Sequence, residues 1–187
     1  MLGMLLLPII SNSQNLMDEH NGHDEEWREV LQETGDILQI ALPVGALATT
    51  VIKKDWQGTK QFAYSFGTSF IVMHSLKRVV RKQRPDGRNL YDSFPSGHTT
   101  SAFTGAAFIQ RRYGWKYGKY AYALATIVGI SRMESPRAWH DGWDVLAGAA
   151  IGIGAAYVFT KPYEHQDLKV SFNSFDDGFV VSLNYNF

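Results

Sequence analysis

The chain has 187 residues, of which 45% are hydrophobic and 13% aromatic, so it is long enough for one domain with a core but too short to argue for two. The formal net charge of zero gives no overall attraction to nucleic acid, and we expect no nucleic-acid partner. The absence of cysteine excludes disulfides and thiol chemistry but leaves the cellular compartment open.

The N-terminal region divides by composition into two parts. Residues 1–13 form a short apolar run that ends in small residues, as in a secretory signal, although the usual basic start is missing. A short helix that is buried or rests on a membrane is the alternative. We therefore expect export to the periplasm or association with a membrane of the cell envelope. Residues 14–36 form an acidic segment whose charges we expect to be solvated.

The region 37–162 shows helical patterns and forms the predicted helical domain. Residues 37–52 are apolar but contain Pro43, which predicts a bent helix. Across residues 60–82, apolar side chains recur at helical spacing and the stripe runs into Lys77, so this lysine lies where a buried face meets something polar.

Three further helices are predicted at residues 98–112, 117–132 and 140–160. In the last of them, Gly148 and Gly152 form a small-xxx-small pair that permits close helix contact. The fold class is thus mainly α, a bundle of about five to six helices. No stretch reaches eighteen uninterrupted apolar residues, so the helices either span a membrane or rest against it.

The tail, residues 163–187, changes period and predicts a short C-terminal β-hairpin. Apolar residues alternate with polar ones on both sides of Asp177 and Gly178. Because an isolated two-stranded unit is marginally stable, we expect the hairpin to pack on the helices or to pair with another chain.

Residues 92–103, with the sequence DSFPSGHTTSAF, place turn formers and a histidine at the start of a predicted helix. Gly97 can adopt backbone angles that point successive amides into a concavity, and the helix adds its positive end. Ser96 can cap the helix or donate to a bound anion, and His98 projects from the first turn. A dianionic phosphate suits such a place, while the alternative is a capped helix whose histidine merely packs.

A second pattern joins His140 and Asp144, which are spaced i, i+4. On one helical face the carboxylate can hold the imidazole Nδ1–H and leave Nε2 free to act as a nucleophile or base. Such a pair alone is more often a surface or core pair. Lys77, Arg84 and Arg132 can supply further positive groups.

Together these residues resemble the three-part signature of the type 2 phosphatidic acid phosphatase superfamily. The parts are Lys77 with Arg84-Pro85, then Pro95-Ser96-Gly97-His98, then Ser131-Arg132 with His140 and Asp144. They occur in order, and the likeness runs from about residue 60 to 160, including the DVLAGAAIG stretch that follows the third part.

The resemblance implies a metal-independent phosphatase without a cofactor. Lys77, Arg84 and Arg132 would neutralise the phosphoryl oxygens, with Ser96 and the Gly97 amide donating to them. His140, oriented by Asp144, would attack phosphorus and form a phosphohistidine. His98 would protonate the leaving alkoxide and then activate water. The implied substrate is a phosphorylated lipid at a membrane surface, or a small phosphate ester.

The third part departs from the family pattern, because seven residues separate Arg132 from His140 where the family usually has five. Pro136 suggests that the extra residues bulge as a loop and leave both anchors in place. The rival interpretation gives the role of the arginine to Arg137, which lies too near His140 to come from the preceding helix.

Three other functions remain open from the sequence. Exported acid phosphatases that act on soluble phosphates carry similar motifs, and vanadium haloperoxidases resemble the same site with vanadate in place of phosphate. A membrane-interacting scaffold that uses the hairpin is the non-enzymatic alternative.

Overall fold

The computed structural model describes residues 7–136, 139–163, 168–175 and 178–185. Five helices are followed by one antiparallel hairpin: α1 (Leu7–Ile52), α2 (Trp56–Val80), α3 (Gly97–Tyr113), α4 (Trp115–Glu134), α5 (Gly142–Phe159), β1 (Leu168–Phe175) and β2 (Gly178–Tyr185). The predicted class, a mainly α bundle with a short C-terminal β-hairpin, is confirmed. The first residues of the signal-like segment lie outside the described residues.

Helix α3 is the centre of the bundle and contacts each of the other four helices. Small residues allow this position, since Ala102, Ala106 and Ala107 are completely buried. Around them pack larger core side chains such as Phe108 and Val128. Because the side chains of this central helix are small, the neighbouring helices approach its backbone closely. The ends of several helices therefore lie near one another.

Glycines on α5 make the contact with α3 possible. A Cβ atom on Gly148 would lie 2.6 Å from the carbonyl oxygen of Ser96, and one on Gly152 would lie 2.7 Å from the backbone of Thr100 and Thr104. Backbone atoms cannot move aside as a flexible side chain can. The close contact predicted from the small-xxx-small pair is therefore confirmed.

Helix α1 runs without interruption through the composition boundary at residue 36 and includes Pro43. Its Gly35 packs on α4 so tightly that a Cβ atom would clash with Ser131 and approach the guanidinium of Arg132. The last acidic residue of the 14–36 segment, Asp36, pairs with Arg132 and His98, so its charge is not wholly solvated as the sequence led us to expect.

Two helix boundaries shape the region between α2 and α5. Helix α2 ends at Val80 and is capped by Arg81, whose φ of 48° and ψ of 45° are left-handed. The chain therefore turns away from the helix axis at Lys82. Helix α5 begins with a capping box, in which Asp141 accepts from the amides of Trp143 and Asp144 while Asp144 accepts from the amide of Asp141.

The hairpin pairs β1 with β2 in a register that sets Phe172 opposite Val181. Phe172 and Phe179 are 76% and 86% exposed, and among the described residues neither strand contacts a helix. The bundle therefore does not provide the packing expected from the sequence, and pairing with another chain stays a prediction.

Much of the bundle surface is apolar. Among the residues that the structure describes, two segments, Glu25–Ile52 in α1 and Gly142–Phe159 in α5, are long and apolar enough to cross a membrane. Large apolar side chains also point outward from α1, α2 and α5: Ile37, Ile40, Val44, Ile52, Phe70, Ile71, Val79, Leu146 and Val158. Exposed apolar surface of this extent is typical of contact with lipid or another protein.

Substitution at Gly152 tests the α3–α5 contact. We expect Gly152→Ala to lower the free energy of unfolding by about 1–3 kcal/mol, because the new methyl group meets backbone atoms. Gly154→Ala is the matched control, since a Cβ atom there would meet nothing within 4 Å. Thermal unfolding in detergent, followed by circular dichroism, measures both; equal melting temperatures would contradict the contact.

Candidate active site

One cavity of about 410 Å³ lies at the end of the bundle where α2 and α4 end and α3 and α5 begin. Six of the eight residues singled out in the sequence line it: Lys77, Arg84, Gly97, His98, Arg132 and His140. The other two, Ser96 and Asp144, are fully buried beside it. Residues separated by more than sixty positions are thus brought to one place.

His140 is held at its Nδ1 side. This atom lies 3.5 Å from Asp144 Oδ2 and 3.5 Å from Ser93 Oγ, and Ser93 donates to the same carboxylate oxygen at 2.5 Å. The opposite nitrogen, Nε2, is then the one left for the cavity that His140 lines.

The reason for this contact differs from the sequence-based expectation. His140 does not share a helical face with Asp144, because α5 begins only at Gly142. The capping box instead folds the chain back at Asp141 and sets the residue before it against the Asp144 carboxylate.

Asp36 joins two of the predicted groups. Its Oδ1 lies 3.0 Å from His98 Nε2 and accepts from Arg132 Nη1 at 2.8 Å. Arg132 also donates to the carbonyl oxygen of Gln32 at 2.9 Å, so this buried guanidinium is fixed by α1. The two groups predicted to contact phosphate, His98 and Arg132, therefore both contact the carboxylate of Asp36 in this structure.

Lys77 lines the cavity from α2, and Arg84 lines it from the loop that follows α2. Lys77 Nζ donates to the carbonyl oxygen of Asp92, and Arg84 binds the Asp92 carboxylate in a bidentate pair at 2.8 and 3.0 Å. This pair lowers the pKa of the Asp92 carboxyl below its usual value. The Arg84 guanidinium also lies 4.8 Å from the centre of the Trp139 ring, which holds its plane.

The N-terminus of α3 is open to the cavity at Gly97, but not through the backbone predicted from the sequence. Gly97 is the first helical residue, and the described glycines with positive φ are Gly87 and Gly114. Ser96 is the N-cap residue, yet its Oγ makes no cap and instead accepts from Thr99 Oγ1 at 3.0 Å. A donation from Ser96 to phosphate therefore stays a prediction, whereas the helix end itself supplies amides and positive potential.

Burial keeps both imidazoles neutral near pH 7. Burial, reinforced by the charge of Arg132, lowers the pKa of His98 to about 4, although Asp36 opposes this effect. Burial also lowers the pKa of His140, against the raising effect of its contact with Asp144. A neutral His140 has the free lone pair that a nucleophile needs.

The family model of the PAP2 superfamily matches residues 58–166, which is more than half of the chain. The chain belongs to the PAP2 superfamily. The resemblance drawn from the three motifs is thereby confirmed.

The relatives of this PAP2 chain are phosphoric monoester hydrolases. A lipid A 4'-phosphatase of Helicobacter pylori is 30% identical over 149 residues and 74% of each chain is covered. A lipid A 1-phosphatase of Porphyromonas gingivalis is 44% identical over 151 residues, covering 79% of this chain but 27% of that protein. The enzyme class predicted from the sequence, a phosphoric monoester hydrolase of this family, is confirmed by these relatives.

A solved structure has a similar fold. The crystal structure of Aquifex aeolicus LpxE matches with a TM-score of 0.59 at 22% identity, covering 71% of this chain and 84% of that one. The likeness supports the helical arrangement of the PAP2 chain.

The longer spacing in the third motif does not separate its two anchors. The amide of His140 donates to the carbonyl oxygen of Arg132 at 3.2 Å, so the two ends of the longer spacing meet. Both anchors therefore stay at the cavity. Arg137, the rival to Arg132, lies outside the described residues.

Sequence reasoning missed several residues of this site. Asp36 lies outside the region of the family match and looked like part of a solvated acidic run. Ser93, Asp92 and Trp139 stand next to the motifs but carry no spacing signal of their own. Lys82 falls in the basic run of residues 77–88, where it could not be told from the exposed cations.

Titration of His98 tests its environment. In the ligand-free protein we expect its imidazole to stay neutral down to below pH 5, because its pKa is lowered to about 4. Bound orthovanadate, an anion close to the ring, should raise that pKa. Heteronuclear NMR of ring-labelled protein, with His98→Gln for assignment, measures both values; a ligand-free pKa of 6.5 or more would contradict the buried environment.

Paired substitutions distinguish Arg132 from Arg137. We expect Arg132→Ala to lower kcat/KM for a phosphomonoester by about 100-fold or more, because a fixed cation is lost from the cavity. Arg137→Ala should stay within about threefold of the wild type. An inactive Arg137 variant beside an active Arg132 variant would reverse the assignment.

Proposed function

We propose that this protein is a metal-independent lipid phosphatase that works through a phosphohistidine on His140. The observation that carries the proposal is the convergence of three cationic side chains, a helix N-terminus and the imidazoles of His98 and His140 on one cavity. Phosphoryl transfer needs in-line positioning and charge stabilisation, and this set of groups supplies both.

In the first step the Nε2 lone pair of His140 forms a bond to phosphorus while the ester P–O bond breaks. The Asp144 and Ser93 side chains hold the Nδ1 side and stabilise the positive charge that develops on the ring. His98 gives a proton to the leaving alkoxide. It must take up that proton as the substrate binds, and a phosphate dianion beside it raises its pKa.

In the second step water attacks the phosphohistidine from the side that the leaving group has vacated. His98, now neutral, accepts a proton from this water, the P–N bond breaks, and the electron pair returns to His140 Nε2. Inorganic phosphate then leaves. One imidazole thus serves as acid and as base in succession.

The charge of the transferred phosphoryl group is balanced by protein cations in this scheme. Lys77, Arg84 and Arg132 approach from three separate segments and surround the cavity. The proposed substrate phosphate would compete with Asp36 for Arg132 and with Asp92 for Arg84, because both carboxylates now hold those guanidinium groups. A dianion placed among the cations gains more from them than a single carboxylate does.

The proposed substrate is a phosphorylated glycolipid of the lipid A type, at the surface of a membrane in the cell envelope. The relatives named lipid A phosphatases support this class. Two helices with the length and apolar character of membrane spans support access from a bilayer. The cavity lies beside the start of α5 and against Gln32 and Asp36 of the α1 segment, and we propose that the headgroup phosphate reaches it there.

Phosphate release from a panel of substrates tests this function. We expect turnover of lipid A or another phosphorylated lipid in mixed micelles, with activity unchanged by a chelator, and slower turnover of a soluble phosphate monoester. His140→Ala should lower kcat by about 1,000-fold or more, because no other group replaces the nucleophile.

His74→Ala provides the matched histidine control. His74 also borders the cavity, but its ring packs against the ring of Phe70, with 4.2 Å between the two ring centres. Retained activity in this variant beside loss in His140→Ala would support the assignment. No release from any lipid phosphate, or full inhibition by chelator that added metal reverses, would contradict the proposal.

A further inference from the structure

Lys82 is a cation that the three motifs do not include, yet it contacts the carboxylate behind the proposed nucleophile. Its Nζ lies 2.8 Å from Asp144 Oδ1 and 2.5 Å from Asp141 Oδ2. Asp144 is completely buried, and the Lys82 side chain is 31% exposed. The ion pair thus reaches from the surface to a carboxylate that has no access to water.

The two oxygens of Asp144 have separate partners. Oδ1 accepts from Lys82, while Oδ2 accepts from Ser93 and the amide of Asp141 and faces His140 Nδ1. A buried carboxylate held from both sides cannot rotate freely, so the oxygen that faces the imidazole stays in place.

The backbone directs Lys82 to this position. Arg81, the residue before Lys82, has the left-handed conformation that ends α2. The carbonyl oxygen of Lys82 then accepts from the amide of Ser93 at 3.0 Å. Lys82 therefore contributes its main chain to the placement of Ser93 and its side chain to the placement of Asp144. Both of these groups contact His140.

Charge balance gives the lysine a second effect. Asp141 and Asp144 are two carboxylates within one turn, and Lys82 is the side-chain cation that the structure places on both. Burial alone would lower the pKa of Lys82, but its hydrogen bonds to Asp141 and Asp144 raise that pKa above its usual value, so it stays charged.

We infer that Lys82 is a positioning residue for the nucleophile: it fixes the Asp144 carboxylate and limits how strongly that carboxylate attracts a proton to His140. The catalytic part of this inference rests on the proposed function. The coupling from Lys82 through Asp144 to His140 is a property of the folded protein and can be measured without turnover.

Kinetics of matched variants test the catalytic part. We expect Lys82→Met to lower kcat by about 10- to 100-fold with KM within about twofold, because the nucleophile is displaced while the phosphate-binding cations remain. Lys82→Arg should recover most of the lost rate. Arg78→Met removes an exposed cation from the same basic run and should match the wild type.

Titration of the His140 imidazole by NMR, in the full chain in detergent, tests the coupling itself. Without the lysine charge, Asp144 holds the imidazolium more strongly, so the pKa of His140 should rise by about 0.5–1 unit in Lys82→Met. The other charged and titratable groups that face the ring are unchanged in this variant: Lys77 from α2, Arg84 and Asp92 from the following loop, and His98 from α3.

Lys82→Gln keeps a hydrogen-bond donor without the charge and serves if Lys82→Met does not fold; its His140 pKa should rise in the same way. A wild-type kcat with an unshifted titration would overturn the inference, as would equal rate losses in Lys82→Met and Arg78→Met. If the wild type releases no phosphate from any substrate, the proposed function fails, and the titration still decides the role of Lys82.

Discussion

The buried carboxylate of Asp144 is the interaction on which the rest of the site depends. Its side chain receives Lys82 and Ser93 and faces His140, and its carbonyl oxygen accepts from the amide of Ser96 at the start of α3. One residue thus connects the segment after α2, the N-terminus of α3 and the proposed nucleophile before α5. A charge with no access to water must have all these partners, because leaving it unpaired would cost several kcal/mol. The same requirement that stabilises the fold also sets the geometry of the chemistry.

The arginines that line the cavity are held in place by ion pairs at its surface. Arg132 and Arg84 are held by carboxylates, Asp36 and Asp92. These pairs keep guanidinium groups in place in a cavity that would otherwise concentrate positive charge. In the proposed reaction a phosphate dianion would replace part of each pair. Guanidinium groups already held in place would reduce the reorganisation that the proposed reaction needs.

The sequence predicted most of the fold and the candidate motifs, because both leave local signals. Helical spacing of apolar residues located the bundle, and Gly148 and Gly152 marked the α3–α5 contact that the structure confirms. The sequence did not predict the ion pairs between distant segments, such as Asp36 with Arg132 or Lys82 with Asp144. Nothing in a single chain tells which member of a charged run turns inward. The i, i+4 spacing of His140 and Asp144 also predicted that their contact lies on one helical face, whereas a capping box produces that contact.

The proposed covalent intermediate is tested most directly by rapid quenching with a substrate labelled at phosphorus. With a nitrophenyl phosphate, whose leaving group needs no proton, the second step in the His98→Ala variant should be slower than the first, so the account predicts that acid-labile, alkali-stable label accumulates on the protein. Peptide mapping should place that label on His140. Turnover without any protein-bound phosphate, or label carried by another residue, would contradict the account.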